Sequence, residues 1–360
     1  MRVRRILVRH GRFTRDPRVL ARRLRRYASA RKWFVERNHD ITKTLLLVGS
    51  GRSGSTWLSE VLVEAFSCRL IFEPLRSDVV PLSKNMPWGS YVDAGDDDAE
   101  FHRVMERILT GRVRNPIVDA FNVYRFPQRR LVKEIRATNL LPWTHAQFPE
   151  VPVIYLLRHP VATAWSATEL GWKPFLSEFL RQERLMDGPL APYRDVIARH
   201  GDDPDLFHRH VLRWCLENSV PIGQLEPGSV HVVFYENLVE DPYAELRRLA
   251  DYLGRFGKTA WTFDPTAPTT DRLSRANYRK TPMMPPSERL ESWVGVVPRP
   301  SVERAVALLE EFGLDRVYGA SVRPYLRADS VLLGAPRPPT GTAQAEVPGG
   351  SEDTESSNSR

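Results

Sequence analysis

The residues with the clearest chemical potential stand in TLLLVGSGRSGSTWL, residues 44–58. An apolar run leads into Gly49, Gly51 and Gly54, which alternate with Ser50, Ser53, Ser55 and Thr56 ahead of Trp57 and a helical pattern. Glycines let a backbone approach a ligand, successive N–H groups at a helix start supply positive potential, and hydroxyls add donors. The spacing describes a cradle for a phosphate-like anion. Set against the nucleotide-triphosphate loop GxxxxGK[ST], Gly49 and Gly54 keep the separation, but Ser55 stands where the lysine is needed. Arg52 is the sole cation of the loop. A γ-phosphate and Mg²⁺ site is therefore disfavoured, and a cradle for a smaller anionic group remains.

A second run, VIYLLRHPVATAWSA (153–167), ends an apolar strand in Arg158 and opens a helix at Pro160, where the missing N–H is harmless. Ser166 lies two helical turns on, so its hydroxyl returns toward the strand end. Arg158 and Ser166 can then close on one phosphate dianion. A third, HVVFYENLVEDPYAELRRLADYLG (231–254), places Tyr235, Glu236 and Asn237 between a buried strand and a helix after Pro242.

Together these motifs resemble the sulfotransferase superfamily, whose members use 3′-phosphoadenosine 5′-phosphosulfate (PAPS) as donor. The resemblance covers roughly residues 41–320. It implies that Arg52, Ser53, Gly54, Ser55, Thr56 and Trp57 wrap the 5′-phosphosulfate. It implies that Arg158 and Ser166 hold the 3′-phosphate and that Tyr235 lies near the adenine. Glu236 then orders the strand end, and Arg275, within SRANYRK (274–280), closes over the nucleotide together with the segment around Trp293. His159 departs from the acidic residue or Asn usual in relatives, a change expected to affect packing more than donor binding.

Sulfuryl transfer needs a base at the acceptor hydroxyl, an in-line approach to sulfur and positive charge on the departing oxygen. The cytosolic small-molecule branch carries Lys-x-His on the strand before the second motif. Here LVKEIRATNLLPW matches the lysine with Lys133 but puts Ile135 at the histidine position. Lys133-x-x-Arg136 instead resembles the carbohydrate branch, in which a Glu just after the second strand is the candidate base. RLIFEPLR puts Glu73 there. The expected catalytic set is Glu73, Lys133 and Arg52. A strand-end Glu paired to a nearby Arg is the plain structural reading of Glu73. His145 is a weaker base candidate. His200, His208 and His210 lack a Cys or HExxH pattern, so no metal is expected. Asp96, Asp97 and Asp98 read as a solvated loop.

These groups require a scaffold of alternating strands and helices. Buried strands are expected at 44–48, 68–72, 130–135, 151–157 and 230–234, and helices at 55–66, 160–170, 205–225, 242–254 and 301–313. The pattern implies an α/β fold: one P-loop-like parallel sheet with helices on both faces and ligands at the strands' carboxyl ends. The spans 74–92 and 171–194 are too long for tight connections and read as substrate-binding or lid loops.

Residues 1–40 hold 14 Lys+Arg against 3 Asp+Glu, leaving 38 against 41 for the rest of the 360-residue chain. The body is not a basic nucleic-acid binder. PRVLARRLRRYASARKWF in that extension reads as a basic amphipathic helix, either adsorbed to an anionic membrane or docked on the domain. The expected division is a 1–40 extension, a 41–330 sulfotransferase domain and a disordered 335–360 tail. Only Cys68 and Cys215 are present, which suits a reducing, cytoplasmic setting, and no run approaches a membrane span. The expected activity is transfer of the PAPS sulfuryl group to a carbohydrate or glycolipid hydroxyl. Two alternatives are a catalytically silent PAP or polyanion binder of the same fold and a P-loop kinase, the latter opposed by Ser55.

Overall fold

The computed structural model describes residues 34–257, 261 and 286–333. The basic helix expected over 17–34 (all but Phe34), Arg275 with its SRANYRK cluster, and the tail from 335 lie outside them.

In chain order the elements are β1 (Thr44–Gly49), α1 (Ser55–Phe66), β2 (Arg69–Phe72), α2 (Ala99–Leu109), β3 (Arg130–Glu134), α3 (Leu141–Gln147), β4 (Val153–Leu157) and α4 (Pro160–Glu169). They continue with α5 (Leu176–Leu180), α6 (Glu183–Asp187), α7 (Arg194–His200), α8 (Leu206–Gln224), β5 (His231–Phe234), α9 (Tyr235–Glu240), α10 (Pro242–Leu253), α11 (Pro286–Leu290) and α12 (Arg299–Glu311). The five strands form one parallel sheet in the order β2-β3-β1-β4-β5. After β1 the chain goes out to β2 at the sheet edge, returns to β3 beside β1, then crosses to β4 and β5 on the other side. The carboxyl end of β1 is thus the switch point where an open parallel sheet leaves a crevice.

Alternation along the strands divides the core in two. Leu46, Val48, Ile71, Val132, Tyr155 and Phe234 pack against one layer, which includes α2, α4, α8 and α12. Leu45, Leu47, Leu70, Leu131, Ile154 and Val233 face the other, built from α1, α9 and α10. Cys68 and Cys215 are free, buried, and packed into these opposite layers.

The described part of the N-terminal segment is fastened to the sheet. The Glu36 carboxylate takes Arg69 on one oxygen and Arg130 on the other, the latter at 2.9 Å, and both arginines are fully buried. Phe34 lies against the guanidiniums of Arg69 and Arg114, 4.5 and 4.3 Å from its ring centroid.

Candidate active site

The glycine-rich loop runs from Gly49 into α1 with a backbone that side chains would block. Gly54 has φ 93°, and a Cβ there would sit 2.6 Å from the Tyr235 ring. A Cβ on Gly51 would meet Trp172 at 2.8 Å, and one on Gly49 would meet the Leu156 carbonyl at 2.4 Å. Gly54 caps α1 without a side-chain hydrogen bond, and the first N–H groups of any helix lack intrahelical partners. The Ser53 hydroxyl is buried and unpartnered. A backbone cradle, a helix N-terminus and an orphaned hydroxyl together fit an anionic group such as a phosphosulfate.

Three cationic or hydroxylic side chains gather beside the loop. Arg52 donates through Nε to Ser166 Oγ at 3.0 Å, and Arg158 donates to the Arg52 carbonyl at 2.9 Å. Arg158 also lies 4.4 Å from the Tyr235 ring centroid, and Tyr235 meets Trp57 edge-on at 6.1 Å. The structure therefore brings Arg52, Ser53, Gly54, Trp57, Arg158, Ser166 and Tyr235 to one sheet edge, with Ser55 and Thr56 in the first turn of α1.

Glu73 follows from strand register. Phe72 pairs with Lys133 across β2 and β3, so the next residue reaches the lysine, and the Glu73 N–H donates to the Lys133 carbonyl at 2.7 Å. Lys133 Nζ donates to Glu73 Oε1 at 2.7 Å, and Arg136 donates to Oε2 at 3.0 Å. Burial alone would raise the Glu73 pKa, but Lys133 and Arg136 outweigh it and hold the carboxyl down at about 2. Arg136 also reaches Glu134 at 3.3 Å. Sequence reasoning passed over Glu134, which looks like one more strand residue. Its buried carboxylate accepts from Leu75 N–H at 2.7 Å and from Ile135 N–H at 2.8 Å, tying the loop after Glu73 to β3.

The two long loops meet over this edge. Trp88 N–H donates to Glu178 at 2.6 Å, Tyr91 N–H donates to Gln182 Oε1 at 3.0 Å, and Trp88 Nε1 donates to Glu217 at 2.8 Å. The polar residues of 171–194 gave no hint of these partners, because they lie about ninety residues away in the chain.

Other singled-out residues are accounted for by structure. Glu236 accepts from His159 N–H at 2.9 Å and Tyr318 O–H at 2.8 Å, which pins the end of β4 to β5. His159 is buried and stacks on Trp293 at 4.8 Å. Asp98 caps α2 by accepting from the Glu100 and Phe101 N–H groups, so part of the acidic run is engaged. His145, in α3, is half-exposed and lies outside the Glu73 cluster. Among the described residues, His200, Asp203 and His208 bring ligand atoms within 4.8 Å of one another. Each has a partner: His208 pairs with His200 at 3.1 Å, His200 with Glu311 at 3.2 Å and Asp203 with Arg304 at 2.6 Å.

A five-stranded parallel sheet flanked by helices, with a glycine-rich loop at its switch point and a carboxylate flanked by two cations beside it, places the chain in the α/β class. The chain belongs to the Sulfotransferase family, whose profile matches residues 45–256. A search of curated proteins finds no match. Among solved structures, it is similar to the sulfotransferase domain from the curacin biosynthetic pathway, at 19% identity over 75% of this chain and 97% of that one, with a TM-score of 0.40. The sulfotransferase domain of the Synechococcus PCC 7002 olefin synthase matches at 17% identity over 75% and 94%, with a TM-score of 0.38. Mouse sulfotransferase SULT7A1 complexed with PAP matches at 17% over 66% and 68%, with a TM-score of 0.28.

Proposed function

We propose that the chain moves the sulfuryl group of PAPS to a hydroxyl of a carbohydrate or glycolipid acceptor. The observation that carries this reading is the Glu73–Lys133–Arg136 cluster, set on the same sheet edge as the anion cradle. Bound PAPS supplies an activated sulfuryl group. The loop backbone at 53–57 and the α1 N-terminus hold its 5′-phosphosulfate, Arg158 and Ser166 take the 3′-phosphate, and Tyr235 packs by the adenine. Glu73 accepts the acceptor hydroxyl's proton as the oxygen–sulfur bond forms and the bond to the 5′-phosphate breaks. Arg52 and Lys133 balance the charge left on that phosphate.

A carboxylate held at about pKa 2 is ionised but weakly basic. Lys133 resolves this tension: as it turns toward the departing phosphate, Glu73 loses one of its two cations and its proton affinity rises when the proton is released. Arg136, one residue past the position of a Lys-x-His histidine, keeps the carboxylate aimed. The reading extends to a cytoplasmic setting and to contact between residues 1–40 and an anionic membrane, without nucleic acid. No described helix is long and apolar enough to cross a membrane.

Glu73→Gln tests the assignment. Sulfate transfer from labelled PAPS should fall ~10²–10⁴-fold with PAP affinity nearly unchanged. Because Lys133 and Arg136 both lean on this carboxylate, the melting temperature falls under either role, and turnover decides. Activity within about threefold of wild type would reject Glu73 as the base.

A further inference from the structure

Four non-glycine residues among those described have positive φ, and three of them, Arg52, Glu73 and Phe175, ring the candidate site. Arg52 and Glu73 have roles there. Phe175 has none so far, yet it takes φ 54°, ψ 29° as the N-cap of α5, a conformation a bulky residue adopts only when its surroundings impose it. Glycine would sit there unstrained. What the phenylalanine supplies is its ring, which is stacked on Trp88 with centroids 5.1 Å apart and planes 10° from parallel. Trp88 is 6% exposed whereas Phe175 is 37% exposed, so the pair forms a ledge with a fixed back and an open aromatic front.

The ledge is rigidly referenced to the base. Glu217 holds the Trp88 indole N–H, and Glu178 and Gln182 hold its backbone. The Arg136 guanidinium lies 4.4 Å from the Trp88 ring centroid and donates to Glu73 Oε2 at 3.0 Å. An indole and a guanidinium therefore separate the Phe175 ring from the carboxylate. Phe175 thus meets the carboxylate only through two intervening side chains, which puts a ring lying on it beside the ring whose hydroxyl Glu73 meets.

We propose that Phe175 is the stacking ledge for the sugar ring next to the one that is sulfated, so that the site selects glycan acceptors of at least two rings over monosaccharides. The inference rests on the carbohydrate reading of the acceptor. A pyranose suits the place: its apolar C–H face lies on the aromatic ring while its hydroxyls meet polar neighbours such as exposed Lys173 and half-buried Glu178.

The test compares wild type, Phe175→Gly and Phe175→Tyr. The readouts are labelled-PAPS turnover of a disaccharide glycoside and its monosaccharide, and calorimetric binding of PAP and of the disaccharide to PAP-saturated protein. Wild type should prefer the disaccharide. Phe175→Gly should raise the disaccharide KM and dissociation constant roughly tenfold, on the scale of a lost stacked-ring contact, with kcat and PAP affinity held. Phe175→Tyr should retain both. An unchanged disaccharide KM overturns the ledge, as does a fall in PAP affinity or kcat, which would mark Phe175 as structural. An effect confined to aryl alcohols overturns the glycan occupant. Failure of the carbohydrate reading itself shows in wild type alone, as sulfation of a non-carbohydrate hydroxyl with no glycan turned over, and the ledge falls with it.

Discussion

Arg158 does two things with one guanidinium: it holds the loop by donating to the Arg52 carbonyl, and it covers the Tyr235 ring. Neither contact consumes its full set of donors, since a guanidinium carries five N–H groups. Arg52 likewise spends its Nε on Ser166 while its guanidinium lies 5.6 Å from the Trp172 ring centroid. The two arginines and the serine therefore form a small lattice that a phosphate dianion would enter by exchanging partners. Arg158→Ala should weaken PAP binding by about 1.5–3 kcal/mol, the range for a hydrogen bond to a charged group, read by calorimetry. The Trp57–Tyr235 pair should also lose order, because Tyr235 loses the cation over its face. Unchanged PAP affinity would remove Arg158 from the site. The resemblance assigned these residues to one donor site, and in the structure they stand beside one loop. It did not indicate that Arg52 would lean on Ser166, because a side-chain contact between residues 114 positions apart depends on β1 and β4 lying side by side in the sheet.

The elements were legible where burial on both faces imposes continuous apolar runs. All five strands and the helices at 55–66, 160–169, 206–224, 242–253 and 299–311 lie within about two residues of their expected bounds. Short helices such as α5, α6 and α9 were not, since five or six residues carry little periodicity and tertiary contacts hold them. Strand order was not legible either, because no local pattern states that β1 sits between β3 and β4. The least legible element is the segment 34–40. By position it falls in the basic extension, but by contact it belongs to the sheet, because Glu36 is its buried acid and neutralises Arg69 and Arg130. Asp119 also meets Arg69 at 2.8 Å, so Arg130 loses more when Glu36 is removed. Glu36→Ala should destabilise the fold by about 3–5 kcal/mol, as expected when one partner of a buried ion pair is removed, measured by urea unfolding. Truncation after residue 33 retains Glu36 and should leave that stability intact while reducing salt-sensitive co-sedimentation with anionic vesicles. Equal sedimentation with and without residues 1–33 would end the membrane reading, and a truncation after 38 would confuse the two effects.

At the scale of the whole molecule, the buried histidines govern how the fold responds to mild acid. His159, His210 and His231 are held below the usual histidine range, at about 4, 4 and 3, primarily by burial. His159 shows the consequence most directly. Its Nδ1 accepts from the Val161 N–H at 3.2 Å, which caps α4, so the neutral ring donates from Nε2 to the Gly319 carbonyl at 3.0 Å. Nearby Arg158 further disfavours a second proton, while the Gly319 and Ser321 contacts favour it. Glu236 faces the backbone N–H of His159, and the Tyr318 hydroxyl binds that same carboxylate. The folded chain therefore takes up a proton here only near pH 4, whereas the unfolded chain does so near 6.5. Protons favour the unfolded state between these values, so stability is full above 6.5 and falls as pH drops, by roughly 1.4 kcal/mol per pH unit for one such group. Glu73 acts in the same direction lower down, since its contribution is complete above pH 4.5 and disappears toward 2. His159→Asn separates the histidine from the rest, because asparagine can still cap α4 but does not titrate. The variant should be less stable than wild type at pH 8, having lost the stack on Trp293, and its stability should fall less steeply between pH 6.5 and 5. Urea midpoints at pH 8, 6.5 and 5 measure both effects. Parallel slopes for the two proteins would mean that folded His159 takes up its proton no lower in pH than the unfolded chain does, and that the Gly319 contact, with burial, does not hold its ring neutral.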